Sequence, residues 1–294
     1  MRFDNVESVR VVPLKLVYSM LNINICICTY NRIPLLQECL DSIGSIVVPE
    51  SCNVNVLVVD NDSECSSMRV VDSSRANFPF RVKYICEPRK GIPCARNRAI
   101  LETLEMSSDY LVFVDDDETV DSQWLASLVS MGLKLGPKAV IHGRVIPEIK
   151  VQVKPEIGGL FGRKVHETGS MLDCCATDNV LIPAYVYRHL GLRFDETKPL
   201  AGGTDTKYFV EAISKGVLIF QCKEAVVYES IPENRLSIWW LARRKFRSGL
   251  TDAWKKRRQG RKPFRIALSA ITRIMIELIK SIVMGIVGNK LERN

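Results

Sequence analysis

Apolar and polar positions alternate along the first 120 residues in a repeated pattern: an all-apolar run, a short polar turn, then apolar residues at helical spacing. Residues 23–28 (INICIC) precede 33–43 (IPLLQECLDSI), where Leu35, Leu36, Cys39, Leu40 and Ile43 fall on one helical face and Pro34 suits a first turn. Residues 55–60 (NVLVVD) are bounded by the turn-rich NDSECSS, RVKYICE leads into GIPCARNRAILETLEM, and DYLVFVD leads into SQWLASLVSMGLKL. Runs that are apolar throughout and separated by helices predict an α/β protein, with a mostly parallel, Rossmann-like sheet covered on both faces and joined by right-handed crossovers. In such sheets ligands sit beyond the carboxyl ends of the strands. That places interest on Thr29 to Arg32 (TYNR), Asp60 to Asp62 (DND), Glu87 to Gly91 (EPRKG) and Asp115 to Glu118 (DDDE).

The second half is less regular and reads as mixed strands and loops completing the same sheet. GGTDTKYFVEAISKG predicts a turn and a short helix with Asp205 in its first turn, and VLIFQCKEAVVYE predicts two short strands. Residues 266–287 are long enough to span a bilayer, but Arg273, Glu277 and Lys280 would each cost roughly 2.5–3.5 kcal/mol near the centre. With Ser269 they form one polar stripe, which predicts an amphipathic helix lying in an interface. Packing on the chain itself or on a second copy, as a homodimer through the C-terminal helices, is the alternative.

Charge sharpens this picture. The net charge is +8 with a pI near 9.0, yet from Arg243 to Arg265 there are eleven basic residues and one acidic residue, Asp252. The basicity is therefore local, as expected for an anionic membrane surface, whereas a nucleic-acid-binding protein would show strong salt-dependent binding to DNA or RNA. Ten cysteines without a zinc spacing predict buried, reduced thiols that act as small hydrophobes. The histidines, His142, His166 and His189, are not paired at metal-ligand spacing.

The acidic run raises an electrostatic question. Two like charges at about 4 Å repel by roughly 4 kcal/mol at an effective dielectric near 20, so Asp115, Asp116, Asp117 and Glu118 call for a compensating cation. If the strand continues through them, Asp115 and Asp117 share a side, about 6.6–7 Å apart. That suits a hard divalent ion, Mn²⁺ or Mg²⁺, that takes one or two carboxylates and completes its shell with phosphate oxygens. A solvated turn, with residue 121 or 122 capping the next helix, is the structural alternative.

CTYNR, VVDND, GIPCARNRAI, FVDDDETVDSQWL, GGTDTKYF and PENRLSIWWLARRKFRSG occur in an order and spacing that resemble family 2 glycosyltransferases of the GT-A fold, and among them the ExoM-type succinoglycan β-glucosyltransferases. The resemblance implies a GT-A-like catalytic domain over residues 23–235, between an N-terminal extension (1–22) and a basic, amphipathic helical extension (236–294). It implies a UDP-sugar donor held by Thr29, Tyr30, Asn31, Arg32, Asp60, Asp62, Arg96, Asn97, Asp115 and Asp116, a metal held by Asp115 and Asp117, and Asp205 as catalytic base. The reaction it implies is inverting transfer of a hexose, glucose from UDP-glucose, to a lipid-linked oligosaccharide in exopolysaccharide or surface-polysaccharide synthesis. Direct transfer to polyisoprenyl phosphate is the alternative. The implied location is peripheral, on the cytoplasmic face of a bacterial inner membrane.

Trp239 and Trp240 read either as helix core or, with Arg243, Arg244 and Arg247, as an acceptor groove in which aromatics stack on sugars and guanidinium groups meet a pyrophosphate. Arg89 and Lys90 read either as solvated loop residues or as phosphate contacts. Two positions depart from the family pattern: Thr204 stands where relatives carry an acid before the base, and Tyr228 stands where many carry a histidine.

Overall fold

The computed structural model describes residues 20–76, 78–153, 158–258 and 260–272, the side chain at position 238 excepted. The N-terminal extension up to residue 19, and Arg273, Glu277 and Lys280 of the predicted polar stripe, lie outside the described residues.

Strands β1 (Leu21–Thr29), β2 (Cys52–Asp60), β3 (Arg81–Cys86) and β4 (Tyr110–Asp115) are mutually parallel, in the order β3-β2-β1-β4. Helices α1 (Ile33–Ile43), α2 (Met68–Arg75) and α3 (Ile92–Glu105) make the connections. Two cores explain why these strands are apolar throughout. Ile23, Ile25 and Ile27 of β1 join Leu36 and Leu40 of α1 on one face, while Cys26 and Cys28 join Ala95 and Ala99 of α3 on the other.

Beyond β4 the sheet becomes mixed. β5 (Glu118–Val120), α4 (Trp124–Leu135), β6 (Ala139–Glu148), β7 (Met171–Leu172), β8 (Val180–Pro183), α5 (Thr204–Ser214), β9 (Leu218–Ser230) and α6 (Ile238–Arg258) follow in chain order. The sheet continues from β4 through β8, β6 and β9 to β5, and β7 also pairs with β9. β8 runs antiparallel to both β4 and β6, whereas β6 and β9 are parallel.

Three expectations are corrected here. The two short strands anticipated near the end of the sheet are one, β9, and a register shift between His142 and Arg144 of β6 absorbs the irregularity that reads as a break. Strand β4 stops at Asp115, so Asp116 and Asp117 form a turn rather than an alternating extension. The helix after the acidic run starts at Trp124; Asp121 accepts the Gln123 backbone N–H at 2.9 Å and does not cap the helix itself. Trp124 is fully buried and donates its indole N–H to Asn179 Oδ1 at 2.7 Å. Removing such a ring costs about 3–5 kcal/mol.

Cysteine chemistry also differs from expectation. Cys65 and Cys86 are joined as a disulfide, and eight cysteines remain thiols. β2 and β3 are neighbouring parallel strands, so the loop after β2 meets the end of β3, a juxtaposition that no local spacing announces. The remaining buried thiols behave as anticipated: burial pushes Cys28, for example, up to about 12.

Candidate active site

A cavity of about 530 Å³ opens at the carboxyl ends of β1 and β4, the position that a parallel sheet predicts. Thr29 ends β1, and the chain turns through Tyr30 and Asn31 into α1. Asn31 has φ 57°, a left-handed conformation that asparagine tolerates better than most residues. Thr29, Tyr30, Arg32, Arg96, Asp115, Asp116 and Asp117 line the cavity.

The acidic run finds much of its counter-charge within the chain. Asp116 is buried and accepts from Thr29 Oγ1 and from Arg32 Nη1, both at 2.8 Å. Asp117 Oδ2 accepts from Arg32 Nη1 at 3.1 Å and is 3.0 Å from Arg235 Nη2. Arg235 also lies 3.7 Å from Glu229, which Arg163 contacts at 2.6 Å. Glu118 is buried; its Oε2 accepts the Asp115 N–H at 2.9 Å, while Oε1 has no hydrogen-bond partner.

Among the described residues Glu118 has no cation within ion-pair distance, and Asp115 has only a distant one. Arg96 approaches it only to 3.8 Å. Burial, with Asp178, Asp117 and Asp116 nearby, pushes its carboxyl up to about 8 against the pull of Arg96. A divalent cation suits this donor set. Asp115 needs a positive neighbour, and both arginine contacts to Asp117 fall on Oδ2 and leave Oδ1 without either. Among the described residues there is no cluster of three or more His, Cys, Asp or Glu able to enclose a metal, so the rest of the shell would come from substrate oxygens and water.

Asp205 lies in the first turn of α5 and forms an ion pair with Arg96. Thr204 Oγ1 donates to the same carboxylate oxygen at 3.1 Å. The threonine thus supplies a hydrogen bond where an acid would have supplied repulsion. Arg96 is buried and carries the link between Asp205 and Asp115, so the candidate base and the candidate metal ligand share one guanidinium.

Other expected residues fall elsewhere. Asp60 is fully buried and accepts from the Ser67 N–H at 2.8 Å, the Asp62 N–H at 3.0 Å and Tyr84 Oη at 2.8 Å. Asp60 and Asp62 shape the loop after β2 and are not among the cavity-lining residues. Asn97 is likewise held inside, bonded to the Phe194 backbone and, at 2.7 Å, to Glu196. Arg89 is paired with Glu87 and Glu196, whereas Lys90 lines the cavity. Trp239 is 82% exposed, and Trp240 stacks on Phe161 at 6.2 Å, with Arg235 and Arg244 over its ring. Arg244 and Arg247 line a second cavity, and Arg243 lines neither.

Asn61 and Gly91, inside the strand-end stretches of interest, also line the wall, whereas Cys28, Ile92, Leu200, Glu229 and Arg235 line it without having been singled out. Asn61 donates to the Glu87 and Arg89 carbonyls at 2.9 and 2.7 Å and accepts from the Gly91 N–H at 2.9 Å, tying the loop after β3 together. Gly91 has φ 125°, and a Cβ there would sit 2.5 Å from Pro199, so only glycine fits. Arg235 was visible within PENR and Glu229 beside Tyr228. Only the pairing of β9 with β5 shows that Glu229, and not Tyr228, faces this cavity.

The family model for glycosyl transferase family 2 matches residues 24–177. The succinoglycan biosynthesis protein ExoM of Rhizobium meliloti (strain 1021) is 35% identical over 247 residues, covering 79% of this chain and 74% of that one. The chain belongs to glycosyltransferase family 2. As a family 2 glycosyltransferase it has GT-A-like structural neighbours. S. aureus TarS (residues 1–349) in complex with UDP matches with a TM-score of 0.55 at 15% identity, over 72% of this chain and 61% of that one. The Pyrobaculum calidifontis mannosyltransferase PcManGT in complex with GDP-Man and Mn²⁺ matches with a TM-score of 0.59 at 17% identity, over 82% and 64%. This family 2 chain thus spans less than two thirds of either solved neighbour, and at these identities the likeness concerns the fold.

Proposed function

We propose that this family 2 glycosyltransferase moves a hexose, glucose from UDP-glucose, with inversion onto a lipid-linked oligosaccharide during synthesis of a bacterial exopolysaccharide or other surface polysaccharide. The observation that carries the reading is a single guanidinium, Arg96, that joins Asp205 to Asp115 at the rim of a cavity also lined by Thr29, Tyr30, Arg32 and Asp117. The similarity to ExoM supports the polysaccharide context.

The chemistry follows from the residues. A nucleoside diphosphate departs with growing negative charge; Arg32, Lys90, Arg96 and Arg235 line the space where that charge would develop. A divalent cation held by Asp115 and Asp117 would supply Lewis-acid stabilisation of the leaving group. Asp205 takes the proton of the attacking acceptor hydroxyl, and its contacts with Arg96 and Thr204 keep the carboxylate oriented. In-line attack from the side opposite the diphosphate converts an α-linked donor into a β-linked product without a covalent enzyme intermediate.

Lipid-linked acceptors call for a membrane-facing surface. Among the described residues no helix is long and apolar enough to cross a membrane, but α6 and the helical stretch over 263–272 expose Trp239, Phe246, Phe264 and Leu268 beside the basic segment. An anionic lipid surface fits that combination.

A thermal-shift screen of nucleotide sugars tests the site. UDP with Mn²⁺ is expected to raise the melting temperature of the wild type, and Asp117→Ala to lose most of that rise. Asp205→Asn is expected to keep the rise and lose transfer by about 10²- to 10⁴-fold. An undiminished metal-dependent shift in Asp117→Ala would refute the metal assignment.

A further inference from the structure

A second cavity, about 400 Å³, lies between the start of α5 and the middle of α6. Gly203 and Thr206 form one wall, and Arg244, Arg247, Thr251 and Lys255 form the other. Gly203 brings the walls together: its φ is +82°, and a Cβ there would meet Thr251 Oγ1 at 2.5 Å.

Part of the positive charge on these walls has no acidic partner among the described residues. Asp252 also lines the cavity but accepts from Lys256 Nζ at 2.6 Å. Lys255 has one partner, Asp173, at 3.1 Å, and that aspartate is 86% exposed. Among the described residues neither Arg244 nor Arg247 has a carboxylate within ion-pair distance. Arg244 is held over the rings of Phe161 and Trp240 at 5.8 and 5.4 Å, and burial, against the pull of Glu229 and with Arg163 and Arg235 nearby, keeps its guanidinium below the usual arginine range. Two placed guanidinium groups and a lysine around one concave space suit an anion with several oxygens and more than one charge.

The position says which anion. Gly203 and Thr206 flank Thr204 and Asp205, and Asp205 is bonded to Arg96, which lines the donor cavity. The first turn of α5 therefore lines this cavity through Thr206 and reaches the donor cavity through the ion pair of Asp205 with Arg96. The donor's phosphates already have cations of their own in Arg32, Lys90, Arg96 and Arg235. We infer that the α5–α6 cavity is an acceptor subsite for a diphosphate ester, in which Arg244, Arg247 and Lys255 hold the diphosphate of a lipid-linked glycan while the glycan's hydroxyl reaches Asp205. This rests on the transfer reaction proposed above and adds the group by which the acceptor is held.

Titration calorimetry of the full chain with octyl diphosphate, below its micelle concentration, tests the subsite. It is run without UDP and with UDP and Mg²⁺ in large excess to fill the donor cavity. One equivalent is expected to bind in both conditions. Arg247→Ala should weaken binding at least tenfold, and Arg247→Ala with Lys255→Ala further, while Asp117→Ala binds as wild type. The UDP-induced thermal shift should be unchanged in the Arg247 and Lys255 variants, which also shows that they are folded.

Absence of octyl diphosphate binding, or equal binding by wild type and the double variant, overturns the inference. So does a double variant that binds octyl diphosphate normally but loses phosphatidylglycerol vesicles, because the cations would then serve a phospholipid headgroup. A wild type without a UDP shift would count against the donor reading alone, since the titration without UDP still reports on this cavity.

Discussion

At the residue scale, the acidic run shows how incomplete a local reading of charge is. Asp116 and Asp117 have Arg32 and Arg235 as partners, one 84 residues before Asp116 and the other beyond the end of β9. Asp115 and the buried Glu118 keep the deficit that the sequence suggests for the whole run. Asp195 presents the opposite case, a carboxylate with surplus donors. It accepts from Lys207 Nζ at 2.7 Å and from the Thr197 hydroxyl and N–H at 2.6 and 3.0 Å, and these bonds hold its carboxyl below the usual aspartate range. Because the native value lies below the unfolded one, its contribution is complete above about pH 3.9 and is lost as pH falls toward the native value. The pair is about a third exposed, so roughly 0.5–1 kcal/mol is expected. Urea midpoints between about pH 5.5 and pH 3 check this: Asp195→Asn should be less stable than wild type at the upper end, with the gap closing at the lower end. A constant gap would assign the loss to something other than the charge.

At the element scale, what the sequence reveals divides at the end of β4. The parallel half is legible because both faces of β1, β2 and β4 are buried, which forces continuous apolar runs, and because α1 and α3 keep one apolar face. Thr29, Arg32, Arg96 and Asp115 follow from that half, since a strand end predicts a site end. The mixed half is harder to read. β8 is four residues long, β7 two, and β9 itself carries the extra residues at its register shift against β6, so neither period nor length marks them. Glu229 and Arg235 were missed for this reason. The Cys65–Cys86 bridge was hidden by the same kind of non-local pairing. Closing a loop across a separation of 21 residues stabilises a fold by on the order of 3 kcal/mol in the chain-entropy model. Dithiothreitol should therefore lower the urea-unfolding free energy of the wild type by up to about 3 kcal/mol and leave Cys65→Ser unchanged. Equal, small effects on both proteins would mean that the pair is reduced in solution.

At the scale of the whole molecule, α6 links the second cavity and the exposed aromatics to the edge of the donor site. In its first turn Trp240 packs against Arg235, which lines the donor cavity, its middle lines the α5–α6 cavity, and Trp239, Phe246 and Leu250 recur on its open side at helical spacing. Phe264, Leu268 and Ile271 repeat that spacing on the following stretch and are 75%, 52% and 57% exposed. A reaction that joins a water-borne nucleotide sugar to a lipid-borne acceptor needs the two sites at one interface, and an apolar stripe beside a basic segment would hold them there. Burial of a Phe or Leu side chain is worth about 1.5–3 kcal/mol, so replacing two of them should reduce vesicle partitioning by about 10²-fold or more. Flotation of the full chain with vesicles of phosphatidylcholine and phosphatidylglycerol tests this. Wild type is expected to float with mixed vesicles and less with phosphatidylcholine alone, and Phe264→Glu with Leu268→Glu to remain in the soluble fraction while keeping its UDP-induced thermal shift. If the double variant floats like wild type but light scattering shows that a wild-type dimer has become a monomer, the stripe is a subunit interface, and the acceptor must reach Asp205 by a route that does not run along α6.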